Sequence, residues 1–157
     1  MIQQGQPLPS ATLSELTEDG MQTHDIPALF ANKKVVLFAV PGAFTPTCSE
    51  SHLPGFVVKA DEIKAKGVDM IACVSVNDAF VMQAWGEAQN ANQIHMLADG
   101  DGSFTQALGL EMDSGKFGGI RSQRYAMVID NGIVTHLNVE APKSFEVSSA
   151  EAILALL

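Results

Sequence analysis

The chain has 157 residues, 46% hydrophobic, 17% charged and 6% aromatic, with 13 Gly, 7 Pro and 2 Cys, the size and balance of a single domain, 1–157, around one core. Lys and Arg total 9 against 18 Asp and Glu, a net charge of −9. That sign excludes a phosphate-backbone binder, and no apolar run reaches the roughly 18 residues of a membrane span, so neither nucleic acid nor membrane is expected as a partner. The opening MIQQGQPLPS has no basic and apolar leader pattern. Two cysteines cannot staple a chain of this size, and with four scattered His they offer no metal-ligand spacing. The expectation is a cytoplasmic, reducing setting with no metal and no organic cofactor.

Residues 1–30, with Gly5, Pro7, Pro9 and Gly20 between short apolar stretches, read as edge strands or a hairpin, then a helical turn over 26–30. The continuous β-branched and aromatic run 34–40, closed by Pro41-Gly42, is a strand buried on both faces in the middle of a sheet. A helical period follows over 56–66, stopped by Gly67 and kinked near its start by Pro54-Gly55. Residues 70–76 form a second buried strand, and Asn77-Asp78 caps a helix to Gln89 in which Phe80 and Trp85 are core anchors. A short strand over 94–98 leads to Asp99-Gly100-Asp101-Gly102 and a helix from Ser103, as cap, to Leu110. Asp99-x-Asp101-x-Ser103 imitates a calcium loop, but Phe104 and Leu110 stand where such a loop needs Gly and Glu, and calcium is rejected.

The Gly-rich stretch 113–121 reads as a mobile loop near the site. Two strands, 125–130 and 133–140, are joined by Asn131-Gly132, the strongest hairpin signal in the chain. Ser148-Ser149-Ala150-Glu151 has the form of a capping box opening a last helix to Leu157. Alternating helices and strands ending in an antiparallel pair mean an α/β fold, a mixed central sheet flanked by helices with an N-terminal hairpin extension.

The chemistry concentrates where the strand 34–40 passes through Pro41-Gly42-Ala43-Phe44-Thr45-Pro46-Thr47-Cys48 into a helix. Open α/β sheets place their sites at such an edge. Thr47-Cys48-Ser49-Glu50 has the form of a capping box, while Thr45-Pro46 is an equally good N-cap and first-turn pair. In either register Cys48 lies in the first turn, where unpaired N–H groups and the helix dipole favour an anionic sulfur. Ionisation alone supplies on the order of 2 kcal/mol, against about 8 kcal/mol or more for an enzyme, so other groups must act on the substrate. Cys73, mid-strand between Ala72 and Val74, is core packing.

These residues resemble the Pro-x-x-x-Thr-x-x-Cys motif of the peroxiredoxins, thiol peroxidases with a thioredoxin-like fold. The type II or peroxiredoxin-5 group is the closer match, through Pro41 to Ser49, His52-Leu53-Pro54-Gly55-Phe56, the run from Val74 to Val81, and Arg124-Tyr125-Ala126-Met127-Val128. The resemblance implies a peroxidatic Cys48, held ionised by its surroundings, that reduces hydrogen peroxide and organic hydroperoxides through a sulfenic acid. It implies that Thr45 bonds the peroxide and the sulfur, that Pro41 shields the site, that Arg124 orients both, and that the protein is a homodimer. Arg121 is open to a share in that role. His52, one turn after Cys48, is open between a site contact and packing.

Many members of the resembling group carry a second, resolving Cys before the last helix. Here 141–149 reads Ala-Pro-Lys-Ser-Phe-Glu-Val-Ser-Ser, with no Cys. The cycle expected is therefore a one-Cys cycle that takes its thiol from outside, glutathione with glutaredoxin first and thioredoxin second. Resolution by Cys73 or by a Cys48–Cys48 bond between chains is a further route. The alternative class is a non-catalytic thioredoxin-like redox-sensing or interaction module, which would tolerate loss of Thr45 or Arg124.

Overall fold

A computed structural model describes residues 1–157. The chain order is β1 (Thr12–Thr17), β2 (Gly20–Asp25), α1 (Ile26–Phe30), β3 (Lys34–Ala39), a π turn (Cys48–His52), α2 (Leu53–Ala65), β4 (Met70–Ser75) and α3 (Ala79–Ala88). It continues with β5 (His95–Ala98), α4 (Ser103–Leu108), β6 (Glu111–Asp113), β7 (Ile120–Ser122), β8 (Tyr125–Asp130), β9 (Ile133–Val139) and α5 (Ala150–Leu154). One seven-stranded sheet runs β2-β1-β5-β4-β3-β8-β9, and β6-β7 is a separate pair. Strands β3, β4 and β5 are parallel, whereas β8 enters antiparallel beside β3. The architecture is the thioredoxin-like α/β fold expected.

The alternation of β3 explains why its run is apolar throughout. Val36 and Phe38 point into the layer holding Phe56, Ile63, Met82 and Trp85. Val35 and Leu37 point into the opposite layer with Ile26, Phe30, Phe104 and Met127. A strand covered on both sides has no face left for polar residues. Asn131 (φ 50°) and Gly132 (φ 80°) make the hairpin between β8 and β9, both in the left-handed region that a two-residue type I′ turn requires.

Several boundaries differ from expectation for local reasons. Residues 46 and 47 are already helical, so the Thr45-Pro46 register wins, and Thr47 makes no side-chain cap. Pro54 lies in a run that is helical without a break from residue 46 to 65; its missing N–H withholds the i→i−4 bond from Glu50, so the irregularity expected at Pro54 coincides with the π turn that ends at His52. α4 is capped by the Asp99 carboxylate, which accepts from Phe104 N and Thr105 N, and not by Ser103; it ends at Leu108 because Gly109 turns left-handed at φ 71°. The cap of α5 is Ser149, accepting from Ala152 N, and the helix closes at Leu154. Ser148 is buried and bonded elsewhere. The stretch 113–121 is a tight hairpin, with Ser114 and Gly119 bonded across it. Phe80 is 65% exposed and no core anchor, whereas Trp85 is fully buried.

Candidate active site

Cys48 and His52 flank a π turn in which Leu53 N donates to Cys48 O, one residue further than an α-helical bond spans. Single π turns of this kind mark functional sites in many helices. Here the turn presents residues 48 and 52 to one guanidinium: Arg124 Nη2 donates to Cys48 Sγ at 3.0 Å, and Nη1 to His52 Nδ1 at 2.8 Å. Arg124 reaches them because β8 pairs with β3, Tyr125 opposite Ala39, so the start of β8 lies beside the end of the strand that leads to Pro41. A fork-shaped cation suits this double contact in a way a lysine does not.

His52 is fully buried, and its Nε2 lies 2.9 Å from Ser148 O. A carbonyl only accepts, so Nε2 carries the proton and Nδ1 is the acceptor for Arg124. Burial first, and the adjacent Arg124 charge second, push the His52 pKa down to about 3. The ring is neutral and serves as an acceptor for the arginine, and it is no base for the thiol. Phe145 stacks its edge on His52, ring centroids 5.1 Å apart, and lies 5.9 Å from the Arg124 guanidinium carbon.

The loop from β3 is held from the neighbouring strand. Ala43 N donates to Asn77 Oδ1 at 3.0 Å, and Ser75 Oγ donates to the same oxygen at 2.6 Å. Phe44 takes a left-handed φ of 64°, and Thr45 Oγ1 donates to Gly42 O at 2.7 Å, not to the sulfur. Such backbone strain outside glycine gathers at functional loops. Pro41 and Arg124 share a wall of a cleft of about 560 Å³, completed by Met112, Gln123, Pro142 and Lys143. Trp85 Nε1 donates to Ser49 Oγ at 3.0 Å, tying α3 to the residue after Cys48.

The remaining candidates separate cleanly. Arg121 donates to Gly118 O and Val76 O, so it braces the β6-β7 hairpin against the end of β4 and is not on the sulfur. Cys73 is fully buried in β4, and burial first, then Cys48, push its thiol far up. Sequence reasoning missed Asn77 as a brace for the loop, Phe145 against the arginine, and Glu140 with Ser148 behind His52. A single strand-end carboxylate or loop serine has no local pattern that could have flagged it.

The chain matches the Redoxin family over residues 3–154. It is 53% identical over 156 residues to peroxiredoxin-2C of Arabidopsis thaliana, covering 98% of this chain and 96% of that one. Among solved structures, reduced Prx3 in complex with H2O2 from Vibrio vulnificus is 76% identical with a TM-score of 0.98, over 99% of both chains. Peroxiredoxin 5 from Alvinella pompejana is 37% identical with a TM-score of 0.86, over 99% of this chain and 97% of that one. With one cysteine at the helix start and none in the loop 141–149 that leads to the last helix, the chain belongs to the peroxiredoxins, as a one-Cys member of the type II group of these thiol peroxidases.

Proposed function

We propose that the chain reduces hydrogen peroxide and organic hydroperoxides through a Cys48 sulfenic acid that an external thiol recycles. The observation that carries this reading is the Arg124 Nη2 contact of 3.0 Å on Cys48 Sγ. A fixed cation there lies where the thiolate carries its charge and where the departing oxygen gathers charge. The thiolate attacks one peroxide oxygen, the S–O bond forms as the O–O bond breaks, and the leaving hydroxide or alkoxide takes a proton from solvent. Thr45 is assigned to the peroxide: rotation about its χ1 frees Oγ1 from Gly42 O to donate to the substrate. Pro41 screens the sulfenate from water on the cleft side.

The missing Cys in 141–149 and the burial of Cys73 favour resolution from outside. A glutathione thiolate attacks the sulfenic sulfur and expels hydroxide, which leaves as water. A second thiol, from glutaredoxin or glutathione, then splits the mixed disulfide and regenerates Cys48; thioredoxin is the second choice of donor. Such a cycle suits the glutathione-rich cytoplasm. Exposed Phe44 and Phe117 on loops, and Phe80 in the first turn of α3, at 55%, 71% and 65%, support a homodimer.

Intact-mass spectrometry after one equivalent of peroxide, with and without glutathione, tests the cycle. The expected result is one added oxygen on Cys48 without glutathione and a glutathionyl adduct with it. A Cys48–Cys73 bond within one chain overturns external resolution, and absence of any Cys48-dependent peroxide loss overturns the peroxidase. A redox-sensing module would keep its response in Arg124→Ala, whereas a peroxidase would lose its rate.

A further inference from the structure

Glu140, just past β9, is 7% exposed, and its carboxylate accepts from four donors. Glu146 N reaches both of its oxygens at 2.9 Å. Val147 N at 2.9 Å, Ser148 N at 2.8 Å and Ser148 Oγ at 2.6 Å all reach Oε2. Three successive backbone N–H groups thus converge on one anion, in a stretch that forms neither helix nor strand. The backbone of Glu140 is committed as well, its N–H donating to Arg124 O at 2.9 Å. Burial alone would raise the carboxyl pKa, but the bonds from Ser148, Glu146 and Val147 outweigh it and hold the group below the usual carboxylate range.

Gathering those N–H groups leaves the Ser148 carbonyl aimed at His52. That carbonyl and the Arg124 donor on the other side of the ring select the same tautomer, with the proton on Nε2. With the acceptor in place at Nε2, Nδ1 offers a lone pair to Arg124 Nη1, and the other arm of the fork falls on Cys48 Sγ. Without it, the buried Nε2–H has no partner, and a ring that shifts its proton to Nδ1 in response sets an N–H against the guanidinium N–H. Two donors cannot bond, so the fork would turn off the sulfur. The same loop carries Phe145 against both His52 and Arg124. His52 is also packed on Phe38 and Phe56, at ring-centroid distances of 5.0 and 5.7 Å, but the bond that orients its ring proton and the aromatic ring beside Arg124 both come from the segment that Glu140 ties down.

We propose that Glu140 is a positioning residue for peroxide reduction, acting through the Ser148 carbonyl and the His52 tautomer to aim Arg124 at Cys48. This rests on the peroxidase reading above. Glu140 does not touch the reacting atoms. What it determines is the direction of the cation that does, and a misdirection well under a bond length costs rate in a site of this kind.

The test is Glu140→Gln in the full chain. The rate of Cys48 oxidation by hydrogen peroxide is followed by stopped-flow Trp85 fluorescence, and the rate of Cys48 alkylation by iodoacetamide is measured beside it. Alkylation breaks no O–O bond, and it is compared at its high-pH plateau, where the sulfur is ionised with or without Arg124 on it, so it separates loss of aim from loss of the sulfur's accessibility. The expected result is a fall of about tenfold or more in the peroxide rate, with alkylation changed by less than about threefold. Combining Glu140→Gln with His52→Gln should then cost no more than the larger single loss, because both act by one route.

A wild-type peroxide rate in Glu140→Gln overturns the proposal. So does a parallel fall of both rates, or a double variant whose losses multiply. Should Glu140→Gln fail to fold, Ser148→Ala removes one of the four donors and keeps the carbonyl. A loss of about threefold confined to the peroxide rate then supports the proposal, and no loss overturns it. If the wild-type chain itself shows no Cys48-dependent peroxide reaction, the peroxidase reading has failed and the role of Glu140 falls with it.

Discussion

His52 should make the protein acid-sensitive well above the carboxylate range. Its folded pKa is about 3 against an ordinary value of 6.5. Between those values the unfolded chain binds a proton that the folded chain refuses, so stability falls as pH drops from about 6.5 toward 3. From pH 7 to pH 5 this single group accounts for about 2 kcal/mol, a large share of the roughly 5–15 kcal/mol that holds a domain together. The perturbation is His52→Gln, whose amide has a donor and an acceptor but does not titrate. Urea unfolding of both proteins at pH 7 and pH 5 gives the difference directly, and the wild type should lose about 2 kcal/mol more than the variant over that interval. Pairing in the fold holds the carboxyls of Glu15 and Glu140 below their ordinary 4.5. Their contribution is fully present above 4.5 and is lost as pH falls through the lower folded values, so they leave the chosen window clear. Equal losses in the two proteins would refute a neutral, buried His52 and the tautomer argument built on it.

Cys48→Ser should abolish peroxide consumption and Cys73→Ser should leave it within about twofold, since Cys73 lies buried in β4; a folded but inactive Cys73→Ser would overturn the one-Cys cycle. Arg124→Lys keeps the charge but cannot bond Cys48 and His52 together, and should lower the second-order rate with peroxide about 100-fold by stopped flow; a loss under about threefold would deny the fork its role. Asn77→Ala frees Ala43 N and Ser75 Oγ, and should cost about 1–3 kcal/mol in urea unfolding; an unchanged stability would show that the loop is held by other means.

The sheet was largely legible because its strands announce themselves locally. The run 34–40, the turn Asn131-Gly132 and the cap Asp78 each depend on neighbours within a few residues. The departures share a cause in polar groups whose partners come from elsewhere. Ser103 looks like a cap, but Asp99, four residues back, takes both N–H groups. Ser148 looks like part of a capping box, but its hydroxyl and N–H go to Glu140. Phe80 reads as a core residue by its hydrophobicity, yet it stands at the first turn of α3, 65% exposed.

The candidate site divides along the same line. The sequence by itself determined that Cys48 starts a helix after a buried strand, that Thr45 and Pro41 precede it at the motif spacing, and that the loop 141–149 holds no cysteine. Only the tertiary structure decided what faces the sulfur. Arg124 lies 76 residues from Cys48 and Ser148 lies 96 from His52, and they meet because β8 inserts antiparallel beside β3. Periodicity reports which face of an element is buried. Which donor meets which acceptor across two elements is settled by strand order and register, and these bring Glu140, His52 and Arg124 to bear on one thiol.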